Sequence, residues 1–205
     1  AKQSPRLTVA IGSDPIILWS IEEASGQSIL LTIPGDALMD AVGGFGTYEG
    51  ASLWKLSGLE QKNRRLLSES LEETLGVPVP WYIGWGESET ISARIQHFDS
   101  SLPVVKNFFS LSGFMKYLRG TYRTNISPIH FVRILHIAYR MNTGNTKTID
   151  LDGSQALVRL SLPDGSVAKK IDIAGLDSLI GHEFEDERVR REKIAVGVYN
   201  TTGTS

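Results

Sequence analysis

The 205-residue chain has no cysteine. That absence excludes a disulfide framework, a thiolate nucleophile, zinc–thiolate ligation and iron–sulfur clusters together. It does not fix the compartment, because a domain of this size builds enough core to fold without staples. Long apolar runs are missing as well. None approaches the ~18–20 residues that cross a bilayer, and the opening Ala1-Lys2-Gln3-Ser4-Pro5-Arg6 lacks the apolar stretch of a secretory signal. Excess positive charge is also absent: 21 Lys and Arg face 23 Asp and Glu, a net of −2. With no helix-turn-helix pattern and no basic patch in view, a nucleic-acid partner is not expected. What is present is ordinary for a globular fold, with 41% hydrophobic and 21% charged residues. The length suits one domain, or one domain with a small appendage. The start without Met and the stop at Gly203-Thr204-Ser205, just after a strand-like run, are expected to be the ends of a piece cut from a longer protein.

The first third alternates strands, turns and helix, the signature of an α/β layer arrangement. Residues 7–11, 16–21 and 28–33 read as strands, the third apolar enough to be buried on both sheet faces. Pro34-Gly35 ends it. Residues 45–50 read as loop and 51–75 as one long amphipathic helix, with Leu53, Leu56, Leu67, Leu71 and Leu75 on its stripe and Gly76 as its stop. Residues 81–85 are a further strand. Residues 104–122 read as helix broken at Gly113. Ser127 and Pro128 supply an N-cap and first-turn proline for a helix to about Met141. Residues 149–151, 157–162 and 167–173 are strand-like, with Pro163-Asp164-Gly165 as a hairpin turn. A short helix near residues 176–180 and a strand over 194–199 complete the pattern.

Three acidic positions bear on chemistry. Asp14 precedes the second strand, Asp36 follows Pro34-Gly35, and Asp40 lies a few residues on. If the second and third strands are neighbours, their connections bring Asp14 and Asp36 to one sheet edge, where two carboxylates can hold a hydrated Mg²⁺. Asp is equally at home in turns and caps, which gives both positions a purely structural reading. The Gly43-Gly44-Phe45-Gly46 loop matches no phosphate-binding fingerprint and reads as a turn. On the 127–141 helix, His130, Arg133 and Arg140 fall near one side, suited to anionic glycan, phosphate or lipid head groups or simply to a solvated face. His97 and His136 have no partner at metal-ligand spacing, and no Gly-x-Ser-x-Gly elbow exists for Ser–His hydrolysis. The alternating-sign run from Glu183 to Glu192 reads as linker or surface helix.

Ser13-Asp14-Pro15-Ile16-Ile17-Leu18, the strand through Ile33 with Pro34-Gly35-Asp36, and Leu75-Gly76-Val77-Pro78-Val79 before Trp81-Tyr82-Ile83 together resemble the LytR-CpsA-Psr family in order and spacing over residues 7–85. The tail from Lys193 to Gly203 is similar to the opening strand of a small C-terminal domain found after many such domains. The resemblance implies a three-layer α/β/α domain over 1–185, with a central mixed β-sheet flanked by helices, and a linker and truncated second domain over 186–205. It further implies an extracytoplasmic domain tethered by an N-terminal membrane anchor outside this sequence. The implied activity is transfer of a glycopolymer from a polyprenyl-pyrophosphate carrier to a cell-wall acceptor, with Mg²⁺ as cofactor. Asp14 and Asp36 map onto the family's acidic positions and become the catalytic and metal candidates. Gly35, however, stands where the family carries an arginine, and of the later arginine cluster only Arg159 remains. Arg64, Arg65, Arg133, Arg140 and Arg159 are therefore the candidate substrate-binding cations. Pyrophosphate is normally held by bidentate guanidinium contacts, and losing one such donor commonly costs ~2.7–4 kcal/mol of transition-state stabilisation. The expected function is thus a divergent envelope phosphotransferase with weakened or lost catalysis. The alternative is a non-catalytic binding or scaffold module for a polyprenyl lipid or a protein partner, marked by an apolar cavity or a filled core beneath the 127–141 helix.

Overall fold

The computed structural model describes residues 6–23, 25–59, 65–86, 101–161, 167–180 and 183–184. In chain order the strands are β1 (Arg6–Gly12), β2 (Ile16–Glu22), β3 (Ser28–Ile33), β4 (Ala37–Ala41), β5 (Gly46–Glu49), β6 (Trp81–Trp85), β7 (Tyr122–Thr124), β8 (Thr146–Asp150), β9 (Leu157–Ser161) and β10 (Val167–Ile171). The helices are α1 (Gly50–Leu59), α2 (Leu66–Leu75), α3 (Ser101–Phe108), α4 (Leu111–Leu118), α5 (Pro128–Arg140) and α6 (Ile173–Ile180). Six strands form a mixed sheet in the order β7-β6-β1-β2-β3-β8, and four form a second sheet in the order β5-β4-β10-β9.

Apolar side chains alternate across the large sheet, and that alternation produces the layers. In β2, Ile16 and Leu18 enter one core while Ile17, Trp19 and Ile21 enter the other; in β3, Ile29, Leu31 and Ile33 oppose Leu30. On the first face Leu53 and Trp54 of α1, Leu67 and Leu71 of α2 and Leu176 of α6 close over the strands, joined by Met39 of β4 and Ile171 of β10. The small sheet thus lies on the same side as these helices. On the second face α3 supplies Val105 and Phe108 and α5 supplies Phe131, Ile134 and Ala138, with Phe114 and Tyr117 of α4 packed against them. The expected helix–sheet–helix layering is the observed one.

The space beneath α5 is filled by aromatic rings. Phe131 is fully buried and packs against Tyr117 at 4.5 Å, Phe109 at 5.3 Å and Phe114 at 5.6 Å, and Phe109 in turn meets Trp19 at 5.4 Å. On the opposite face Trp54 lies over a gap left by two strand glycines that are register partners, Gly12 of β1 and Gly84 of β6. A Cβ on Gly12 would lie 2.2 Å from the indole, and one on Gly84 2.4 Å from it. Arg123, opposite Gly84 on β7, stacks its guanidinium 3.8 Å from the centre of the Trp54 ring.

Several local expectations need correction. The leucine stripe over residues 51–75 belongs to two helices, and α1 and α2 touch each other. One straight helix forbids that, because residues seven or more apart lie at least ~10 Å from each other. The break in the next helical region falls at Ser110, whose hydroxyl caps α4 by accepting from the Gly113 amide at 3.0 Å. Gly113 is a contact point: a Cβ there would meet the Phe108 carbonyl at 2.0 Å. Residues 46–49, read as loop, form β5. The Ser127 cap and Pro128 start of α5 are observed as expected. Arg64, His97, the turn at 163–165, most of the Glu183–Glu192 run and the strand at 194–199 lie outside the described residues.

Candidate functional site

The β2–β3 register decides the first question about the acids. Ile16 pairs with Ile33, so the residues before β2 and after β3 emerge at the same end of the sheet. Asp14 and Asp36 therefore line one cavity of about 380 Å³ together with Pro15, Thr32, Pro34 and Gly35. A tight turn, closed by the Ala37 amide donating to the Pro34 carbonyl at 3.0 Å, presents Asp36. Gly35 anchors the start of α1 by accepting from the Ala51 amide at 3.0 Å. Its missing side chain also makes room for Asp14: a Cβ at position 35 would lie 2.2 Å from Asp14 Oδ1.

Three further charged residues reach this cavity, none of them singled out by the sequence. Parallel pairing of β8 with β3 sets Asp150 beside Thr32, and Asp152 follows two residues on, its amide donating to Asp150 Oδ1 at 3.0 Å. Lys169 comes from the second sheet, where it pairs with Ala37. Its ammonium lies 2.9 Å from Asp152 Oδ1 and 3.2 Å from Asp36 Oδ2. Its hydrogen bonds to the Asp152 and Asp36 carboxylates hold the lysine above its ordinary pKa, so it is charged. Four carboxylates against one ammonium leave the cavity strongly negative. Among the described residues no arginine lines it. Such a lining attracts a cation and repels a bare polyphosphate.

No sequence-family model matches the chain, and no curated protein matches it by sequence. Structural likeness extends over nearly the whole chain. The transcriptional regulator yvhJ from Bacillus subtilis superposes with a TM-score of 0.58 at 12% identity, covering 87% of this chain and 94% of that one. Lin1025 from Listeria innocua gives 0.59 at 13%, covering 88% and 96%. TagT, solved bound to LIIa-WTA, gives 0.58 at 13%, covering 94% and 95%. The chain has the LytR-CpsA-Psr fold.

On that fold the candidate arginines are dispersed. Arg65 caps α2 and pairs with Glu69 at 3.8 Å and Glu72 at 3.9 Å. Arg133 on α5 is paired with Glu23. Arg140 lines a separate cavity of about 260 Å³ with Glu23 and His136. Arg159 on β9 is directly opposite Lys169 on β10. Opposite residues of an antiparallel pair share a sheet face, so of the described candidates Arg159 is the one placed on the face of the acidic cavity. Asp40 sits away from it, accepting from the Thr47 hydroxyl at 2.5 Å. The Gly43–Gly46 loop serves as a turn, with positive φ at Gly43, Gly44 and Gly46.

The donor set suits magnesium, a hard cation that commonly takes one or two carboxylates and fills its remaining positions with water or substrate oxygen. Asp14 and Asp36 offer such a pair on one cavity wall. Among the described residues no cluster of three or more metal-binding side chains accompanies them, and Lys169 already engages one Asp36 oxygen.

Proposed function

We propose that this chain is a cell-envelope domain that binds a glycopolymer carried on a polyprenyl pyrophosphate, with transfer chemistry weakened relative to its fold relatives. The observation that carries the reading is the acidic cavity at the sheet end, where Asp14 and Asp36 converge on a chain whose architecture matches TagT, a protein solved bound to LI-WTA and LIIa-WTA. Asp14 and Asp36 would hold Mg²⁺, which supplies neutralisation of pyrophosphate oxygens. In transfer, an acceptor hydroxyl oxygen bonds to the polymer-bearing phosphorus while the bond from that phosphorus to the oxygen of polyprenyl phosphate breaks. The hydroxyl proton passes to a carboxylate. Asp36 and Asp152 are engaged by Lys169 and Asp14 belongs to the metal pair, which leaves Asp150 of the same lining as the proton acceptor in this scheme. Arg159 supplies the guanidinium from β9. The setting is extracytoplasmic, with a cell-wall acceptor and an anchor outside this sequence; among the described residues no helix is long and apolar enough to cross a membrane.

Two observations favour a second reading, a binding or scaffold module without transfer. A net-negative lining with no arginine among the described residues lacks the donors that stabilise charge on a departing phosphate, and each missing donor is worth ~10²–10³ in rate. Filled aromatic packing beneath α5 leaves that space to side chains and favours a protein partner over a lipid chain. Calorimetric titration of a polyprenyl-pyrophosphate analogue, with and without Mg²⁺, separates the two. Magnesium-dependent binding lost in Asp14→Asn and Asp36→Asn supports the polymer-carrier site. Binding indifferent to both variants and to metal removes the acidic cavity from the function, and no binding favours the scaffold reading.

A further inference from the structure

The near-neutral total charge conceals a strong asymmetry. From Ser101 to Ile149 there is no Asp or Glu, while seven Lys and Arg occur there. This stretch contains α3, α4 and α5, the helices that cover one face of the large sheet among the described residues. Its outer surface is unusually apolar for solvent. On α4, Leu111, Met115 and Leu118 follow one helix face and are exposed, Leu111 by 76%; on α5, Ile129, Val132 and Tyr139 do the same, Ile129 by 82% and Tyr139 by 85%. Between and around them stand Lys106, Lys116, Arg119, Arg133 and Arg140. Arg133 shares Glu23, and Lys116 lies 4.7 Å over the Trp85 ring.

From this combination we infer that the outer face of α3–α5 rests on the surface of an anionic phospholipid bilayer. Aliphatic and tyrosyl side chains at helical spacing beside lysine and arginine are the composition of an interfacial helix, with the apolar groups entering the acyl boundary and the cations meeting lipid phosphates. Charge complementarity chooses the occupant. A soluble polyanion would use the cations and leave six large apolar side chains in water; a neutral protein surface would leave the cations without a counter-charge. A second copy of the chain would set two faces of net positive charge, with Glu23 as the acid paired to Arg133, against each other, which like-charge repulsion disfavours. The inference does not rest on the reaction proposed above, since the acidic cavity is built by different elements, the strand ends and β10.

Co-flotation of the 205-residue chain with vesicles tests it, comparing phosphatidylcholine alone with phosphatidylcholine containing one-third phosphatidylglycerol at physiological salt. Binding is expected only to the anionic vesicles. The pair Arg119→Gln with Arg140→Gln should weaken it about 30-fold, at ~1 kcal/mol for each cation near the membrane. The exposed pair Ile129→Ser with Tyr139→Ser should weaken it by a similar factor, while Lys55→Gln, at an exposed position of α1 on the other side of the large sheet, leaves it unchanged. Circular dichroism of each variant confirms the fold. Failure to bind anionic vesicles, equal binding to neutral ones, or binding that both variant pairs leave intact overturns the inference. So does vesicle-free self-association that Ile129→Ser with Tyr139→Ser abolishes, which would make the face a contact between copies.

Discussion

Replacing Lys169 with methionine should turn the acidic cavity into a tighter site for a divalent cation. Its ammonium sits between Asp152 and Asp36 at 2.9 and 3.2 Å, so an entering Mg²⁺ meets a fixed positive charge and must compete for an Asp36 oxygen. Two charges against one at ~5 Å repel by about 1.7 kcal/mol in the dielectric of water, and physiological salt roughly halves that. Deleting the ammonium should therefore tighten Mg²⁺ binding about 5- to 20-fold. The same change removes two ion pairs whose carboxylate partners are more than half exposed. Each is worth ~0.2–1 kcal/mol, so the melting temperature should fall by ~1–8 °C for a chain of this size. Calorimetric titration of Mg²⁺ into wild type, Lys169→Met and Lys169→Arg gives the affinities, with Asp14→Asn as the background that loses the site. An unchanged or weaker Mg²⁺ affinity in a folded Lys169→Met protein refutes the idea that this lysine holds a cation position.

The stability contributed by Lys169 should also carry a pH signature. Its folded pKa is raised above the ordinary 10.5 by Asp152 and Asp36, so the contribution is whole below the unfolded value and disappears as pH rises through the folded one. The melting-temperature gap between wild type and Lys169→Met should be level from about pH 7 to about pH 10 and close above it. Gly84→Ala puts a Cβ 2.4 Å from Trp54 and 2.6 Å from the Gly12 carbonyl; overpacking of ~1–3 kcal/mol should lower the melting temperature by ~3–10 °C in a thermal scan. Tyr117→Phe removes the hydroxyl that donates to the Ile126 carbonyl at 2.9 Å and keeps the ring stacked on Phe131; a loss of ~1 kcal/mol should appear as a drop of ~2–4 °C.

Four strands of the large sheet were legible because they are continuous apolar runs, β1, β2, β3 and β6, whereas the short β7 was not read and β8 was read only at its end. The helix opened by Ser127 and Pro128 was legible through its cap. Of the small sheet only half was: β9 and β10 fall where strands were read over residues 157–162 and 167–173, while β4 and β5 had no such signal. Strand β4 carries exposed Asp40 between buried Met39 and Ala41, and all four residues of β5 are exposed, so neither has a run long enough to separate from turn. Half of the site followed the same division. Asp14 and Asp36 could be brought together on paper because they flank adjacent strands of one hairpin. Asp150, Asp152 and Lys169 join them only through the pairing of β3 with β8 and of β4 with β10, contacts spanning more than a hundred residues. Short-range pattern carries no information about such contacts. The leucine spacing that suggested one helix over residues 51–75 misled for a related reason: both helices cover the same core, so their stripes continue in phase across the break.

The indole resting on two glycines makes three distant positions one unit of variation. Gly12, Gly84 and Trp54 share a single volume, so a larger side chain on either strand is compatible with the fold only if position 54 shrinks by a matching amount. Sequences sharing this architecture should therefore divide into two populations, one with small strand residues beneath a large aromatic and one with branched strand residues beneath a small helix residue. Intermediates between them would be destabilised, and in the second population Arg123 would lose the ring it stacks on while keeping its hydrogen bonds to the residue-54 carbonyl and the Ser57 hydroxyl.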